Sequence, residues 1–189
     1  EMFRMIRYNT RFPEEMMGDI EAQIGGCVMG RTEVAAIVDR YGLESYRAAL
    51  HVMWDQAERA ARSVIRGIPD GTYTARATLD NDGIHDEPPI PLAVTVIVAG
   101  DEMTIDLSAL PPEFKTPINA GRSGGGQSVA RLAFRYVVIP NEHANEGSFR
   151  PLKLVLPEGT MMSASPNAPK GYYVGALPTL IDLVIRALS

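Results

Sequence analysis

Apolar residues recur at helical spacing along the first part of the chain and at alternating spacing beyond it. Pro13, a residue favoured at the first helical position, opens a run with Met16, Met17, Ile20, Ile24 and Cys27 on one side, and Gly25, Gly26 and Gly30 predict that it loosens there. A second helix carries Val34, Ile37, Val38 and Tyr41 and stops at Gly42, a glycine in the C′ role. In the third, Leu43, Tyr46, Leu50, Met53, Trp54, Ala57, Ala61, Val64 and Ile65 recur at three- and four-residue steps, with Asp55/Arg59 and Glu58/Arg62 placed as i,i+4 pairs on the outer face. Met2, Phe3, Met5 and Ile6 are spaced in the same way at the start, so the chain is expected to open inside an element, as a fragment of a longer polypeptide would.

At Pro69-Asp70-Gly71 the period changes from 3.6 to 2. Tyr73, Ala75, Ala77 and Leu79 alternate with polar neighbours, which predicts a strand with one buried face. Leu92–Ala99 is a second strand, and Gly100-Asp101 turns it into a third at Met103–Leu107. A proline-rich loop leads to a helix from about Ser123 to Val138, closed by Pro140, and a short strand follows at Leu152–Leu156. Leu177, Leu180, Ile181, Val184, Ile185 and Leu188 predict a last helix. The class is α+β, with N-terminal helices, a central mainly antiparallel sheet and C-terminal helices. Residues 1–67 are expected to form a helical subregion and 68–189 an α+β subregion, together one segment of a longer polypeptide.

Composition narrows the function classes. With 18 basic against 23 acidic residues and a net charge of −5, the chain lacks the clustered cations that nucleic acid demands. No membrane partner is expected either, because the longest apolar stretch falls far short of the roughly 18 residues of a spanning helix. One cysteine, Cys27, cannot form an internal disulfide, which points to a reducing compartment and the cytoplasm, and a buried inert thiol is expected.

Three segments could carry chemistry. Asn119-Ala120-Gly121-Arg122-Ser123-Gly124-Gly125-Gly126-Gln127-Ser128 is a glycine-rich turn running into a helix, so Arg122 and the amides of Ser123, Gly124 and Gly125 are candidates for an anion cradle. It is neither a phosphate-binding lysine loop nor a dinucleotide fingerprint, and the competing reading is a plain turn with Ser123 as N-cap. Asp80-Asn81-Asp82-Gly83-Ile84-His85-Asp86-Glu87 concentrates oxygen and imidazole groups but fails the EF-hand pattern, leaving a transition-metal site completed by His51 or His143, or an acidic turn at a strand end. In Asn141–Pro151, Arg150 is suited to fork onto an anion or a carboxylate and Asn145 is a candidate beside it, while the competing reading has Asn145 and Glu146 satisfy the loop's own amides. No catalytic residue and no metal ligand is assigned.

Three stretches resemble the hydantoinase B/oxoprolinase family. They are Phe12-Pro13-Glu14-Glu15-Met16-Met17-Gly18-Asp19-Ile20-Glu21-Ala22-Gln23, then Ile68-Pro69-Asp70-Gly71-Thr72-Tyr73, then Asn145-Glu146-Gly147-Ser148-Phe149-Arg150-Pro151 with Pro157-Glu158-Gly159-Thr160. The resemblance implies a large subunit of an ATP-dependent enzyme acting on cyclic amides such as hydantoin and 5-oxoproline, or alternatively of a related acetone or acetophenone carboxylase. It implies an ATP-handling hydantoinase A-like partner subunit that phosphorylates the substrate oxygen, and a divalent metal bound by His- and Asp-rich motifs N-terminal to this segment. None of those motifs is matched here. The chain is thus expected to hold no cofactor of its own, to be inactive alone, and to work with the remainder of its own large subunit. A third reading is a non-catalytic assembly scaffold. Functional arginines should face a shared cleft, whereas scaffold arginines should sit in local pairs.

Overall fold

In a computed structural model of the chain, residues 1–85 and 88–189 are described. Three helices come first: α1 (Met2–Tyr8), α2 (Pro13–Tyr41) and α3 (Leu43–Ile65). The predicted break near Gly25–Gly30 does not occur, and α2 runs unbroken for 29 residues. Glycine weakens a helix by roughly 1 kcal/mol through backbone entropy, yet it keeps its N–H and clashes with nothing, so it need not interrupt the ladder. Gly42 does end α2: at φ 83° it takes a conformation that other residues rarely adopt, and its N–H reaches the Val38 carbonyl at 2.7 Å.

The chain divides into two compact units, residues 1–52 and 53–189. In the first, α1 packs on α2, and Arg7 forks onto both Glu14 oxygens at 2.8 Å. Cys27 is exposed, not buried as its residue type suggested, and so are Ile24, Val28 and Met29 around it.

The second unit is built on four strands, β1 (Gly71–Leu79), β2 (Ile90–Ala99), β3 (Glu102–Asp106) and β4 (Leu152–Val155), in the order β1-β2-β3-β4. The first two pairings are antiparallel and the last is parallel. At the β2–β3 turn Gly100 has φ 63°, and its N–H donates to the Asp70 carboxylate at 2.8 Å. Alternation then sorts the side chains. Leu92, Val94, Val96, Val98, Met103 and Ile105 are buried, while Thr72, Thr74 and Arg76 are exposed on the other face. The strands need helices above their apolar side, and α4 (Gly126–Val138) and α5 (Leu177–Ala187) supply them. Val129, Ala133 and Phe134 of α4 meet Leu180, Leu183 and Val184 of α5 in the core, joined by Ala61 and Ile65 of α3. Each such large side chain contributes about 1.5–3 kcal/mol by leaving water. The fold is α+β, as the change of period at Gly71 predicts, with one parallel pairing that local sequence does not reveal.

Candidate functional site

The glycine-rich turn is shaped by close packing. A Cβ on Gly125 would lie 2.6 Å from the Met162 carbonyl oxygen, and one on Gly126 would lie 2.5 Å from the Leu156 side chain. At Gly125 the close atoms include backbone, which excludes a larger residue, whereas at Gly126 the Leu156 side chain would have to move. Backbone hydrogen bonds fix the turn further: the amides of Gly125, Gly126 and Gln127 donate to the carbonyls of Gly121, Met162 and Arg122. Helix α4 starts at Gly126, three positions after the predicted start at Ser123, because those contacts hold residues 122–125 in a turn of their own. Ser123 is thus not the N-cap, and its backbone carbonyl accepts a hydrogen bond from the Ser128 hydroxyl at 2.9 Å. The turn is anchored from below by Asn119, which is fully buried. Its side-chain oxygen accepts from the Phe114 amide at 2.8 Å, and its Nδ2 donates to the carbonyls of Phe114, Thr116 and Pro169 at 2.8–2.9 Å.

Arg122 leaves this turn toward a cleft of about 240 Å³, whose lining includes Gln127, Arg131, Phe149 and Leu154. Its Nη1 donates to the Leu156 carbonyl at 2.8 Å, which aims the guanidinium and leaves further N–H groups to bind a ligand. Arg131 forks onto Glu146 at 3.0 and 2.8 Å and lies 4.8 Å above the Phe149 ring. That fork holds the Glu146 carboxyl below the usual glutamate range. Asn145 orders this wall. It accepts from the Gly147 amide at 2.9 Å, and Ser148 accepts in return from the Asn145 amide, forming a capping box on the short 3-10 turn Glu146–Phe149.

Arg150 goes elsewhere. Its Nη1 donates to Asp55 at 2.7 Å and Glu58 at 2.9 Å on α3. The expected Glu58/Arg62 pair forms at 2.9 Å, whereas the Asp55 carboxylate is taken by Arg150. Arg122 and Arg150 therefore share no cleft: Arg122 lines the cleft of about 240 Å³ with one Nη bonded to the Leu156 carbonyl, and Arg150 sits in local ion pairs on α3. Ser123 and Gly124 are exposed in the turn beside Arg122, Gly125 is buried under it, and Asn145 acts on backbone amides. Sequence reading places Gln127 and Phe149 inside the candidate segments without singling them out, and does not reach Arg131. Gln127 and Arg131 are spaced i,i+4 on α4, a polar pair on one helix face that could have marked them.

The acidic segment forms a turn at the end of β1. Asn81 accepts from the Gly83 amide and Asp82 from the amides of Ile84 and His85; Asp86 and Glu87 lie outside the described residues. Among the described residues, no three His, Cys, Asp or Glu side chains converge to hold a metal ion. No helix of the described residues is long and apolar enough to cross a membrane.

The family model described as hydantoinase B/oxoprolinase matches residues 1–189. The caprolactamase subunit beta of Pseudomonas jessenii is 31% identical over 193 residues, covering 100% of this chain and 32% of that one. The acetophenone carboxylase delta subunit of Aromatoleum aromaticum is 24% identical over 163 residues, covering 86% of this chain and 24% of that one. Among solved structures, the ATP-dependent caprolactamase of Pseudomonas jessenii matches with a TM-score of 0.83 at 30% identity, over 95% of this chain and 31% of that chain. Nucleotide-free acetone carboxylase matches with a TM-score of 0.80 at 20% identity, over 92% and 24%, a likeness of fold. The chain spans about a third of the length of the caprolactamase subunit it matches.

Proposed function

The chain belongs to the hydantoinase B/oxoprolinase family, and from that premise we propose that it is part of the large subunit of an ATP-dependent enzyme that opens cyclic amides. The observation that carries this reading is the likeness to the caprolactamase subunit along the full chain, at 31% identity. A ketone carboxylase is the second reading, favoured by the 24% identity to an acetophenone carboxylase subunit.

An amide carbon is a poor electrophile, which is why such a ring opening needs ATP. Phosphoryl transfer to the substrate oxygen turns that oxygen into part of a leaving group. Water then adds to the carbon, the C–N bond breaks to leave an acyl phosphate and a free amine, and a second water hydrolyses the acyl phosphate, so that ADP, inorganic phosphate and a ring-opened acid result. Each step gathers negative charge that must be met by fixed donors. In this reading Arg122 meets that charge within its cleft, Gln127 offers a neutral amide, and Arg131, paired with Glu146, stiffens the wall. Ser123, Gly124 and Gly125 shape the approach, Asn145 orders the opposite wall, and Arg150 holds the local frame.

Partner subunits follow from the same likeness, and we assign ATP handling to a hydantoinase A-like partner. Among the described residues no three side chains group as metal ligands, and we assign the divalent ion to the remainder of the large subunit. An ATP-dependent enzyme with a free, exposed thiol at Cys27 suits the cytoplasm.

The test is to express the polypeptide that carries this segment with the ATP-handling subunit and supply hydantoin, 5-oxoproline or caprolactam. Amide-dependent ADP release with ring-opened product supports the first reading. Release that needs a ketone and bicarbonate, with a carboxylated product, selects the second. Neither, from a complex that assembles, leaves only the scaffold.

A further inference from the structure

A second concavity lies apart from the Arg122 cleft. Its volume is about 480 Å³, and its lining includes Asp82, His85, Pro89, Ile90, Pro112 and Phe114. That is the size range of small-molecule sites, which are mostly apolar with a few placed polar groups. Here the polar groups are a carboxylate and an imidazole in contact, since His85 Nδ1 lies 2.9 Å from Asp82 Oδ2. The other Asp82 oxygen accepts the amides of His85 and Ile84 at 2.7 and 2.9 Å. Together with the ring, these contacts hold the Asp82 carboxyl well below the usual aspartate range. An ionised carboxylate only accepts, so Nδ1 carries the hydrogen, and in that tautomer Nε2 is left as an acceptor.

The walls are held from outside. Gly83, at φ 84°, lies under the Tyr172 ring, where a Cβ would come within 3.0 Å, and the Tyr172 amide donates to the Pro117 carbonyl at 2.7 Å. Phe114 on the facing wall is gripped at both its amide and its carbonyl by the buried Asn119 side chain. Behind Asp82, the Thr116 hydroxyl is buried without a hydrogen-bond partner among the described residues, yet it is near enough to favour the ionised carboxylate.

We propose that this cavity binds a small, mostly apolar molecule bearing one O–H or N–H donor, which His85 Nε2 accepts while Asp82 fixes the tautomer and Phe114 and the prolines cover the apolar part. Asp82 is a positioning residue here, because it acts through His85. The site is independent of the ring-opening reaction and would stand if that reading failed.

Phenol and anisole are suitable probes, since they differ in the donor and little else. Titrations followed by NMR on the whole chain should show phenol shifting His85 and Phe114 resonances saturably and binding about five-fold more tightly than anisole, the worth of one hydrogen bond. His85→Ala, at an exposed position that leaves folding intact, should erase the preference while anisole still binds. Phe114→Ala should weaken both ligands. Imidazole 15N shifts should report the Nδ1–H tautomer in the wild type. Equal binding of the two probes, binding of neither, an unchanged preference in His85→Ala, or a dominant Nε2–H tautomer would each overturn the proposal.

Discussion

Arg150 reaches the Glu58 carboxylate at 2.9 Å across 92 positions of sequence. The same guanidinium takes Asp55 at 2.7 Å, while Arg62 holds Glu58 at 2.9 Å and Asp101 at 2.8 Å. These contacts tie the end of α3 to the β2–β3 turn and to the segment entering β4. Isolated surface pairs contribute little, but a network with shared partners loses less entropy per contact.

The pH dependence of that network has a definite sign. Hydrogen bonds from Arg150 first, and Arg62 second, hold the Glu58 carboxyl below its ordinary value of 4.5. A carboxyl depressed in the folded state stabilises the protein above its unfolded pKa, and this is lost as pH falls through the folded value. Arg150→Ala is therefore expected to lower Tm by a few degrees near neutrality, with the gap to wild type closing between about pH 5 and pH 3. Thermal unfolding across that range checks it. A gap that persists in acid would mean that Arg150 acts by packing on Trp54, whose ring lies 6.0 Å away.

Glycines that look alike in sequence should respond differently. A Cβ at Gly124 meets nothing within 4 Å, whereas at Gly125 it meets a carbonyl at 2.6 Å and at Gly147 it would lie 2.0 Å from the Trp54 carbonyl oxygen. Gly124→Ala is expected within about 0.5 kcal/mol of wild type. Gly125→Ala and Gly147→Ala should each cost about 1–3 kcal/mol or more by overpacking, as measured by urea unfolding.

Legibility in the sequence followed the range of the forces involved. The β1 face, the β2–β3 turn and the amphipathic α5 are local patterns, and they were readable. Continuity of α2 through Gly25, Gly26 and Gly30 was not, because a propensity deficit is a weak term that neighbouring residues can override. The start of α4 was displaced because Met162, remote in sequence, accepts the Gly126 amide. Likewise, Arg122 could be singled out as a cation beside a turn, yet Arg131 and Phe149 share its cleft only through the pairing of β3 with β4, a long-range fact.

Arg122 and Ser123, adjacent in the chain, should separate in function. If Arg122 binds anions, phosphate titrations should be salt-sensitive, and Arg122→Ala should weaken binding by roughly 1–3 kcal/mol, the range for charge-assisted hydrogen bonds. Ser123→Ala should change stability by less than about 0.5 kcal/mol, since its side chain does not cap α4. Phosphate binding unaltered in Arg122→Ala would remove the anion role.

Asn119 offers the sharpest test of what holds the turn. Its amide nitrogen serves three carbonyls and its oxygen serves the Phe114 amide, in a position with no exposure. Removing the side chain leaves those groups buried without partners, at about 1–3 kcal/mol for each one that water cannot reach. Asn119→Ala is therefore expected to cost at least about 3 kcal/mol. Asn119→Asp keeps the shape but turns an acceptor toward the carbonyls, so at pH 7 it should be no better than alanine. Burial and those carbonyls would raise the new carboxyl's pKa in the folded state. The penalty is then full at neutral pH and shrinks as pH falls through that raised value, because the protonated acid can donate. Compared with wild type at the same pH, to remove the acid sensitivity of Glu58, Asn119→Asp should recover stability on moving from about pH 7 to pH 5 while Asn119→Ala should not. Parallel losses in the two variants at both pH values would show that the site needs volume rather than a donor.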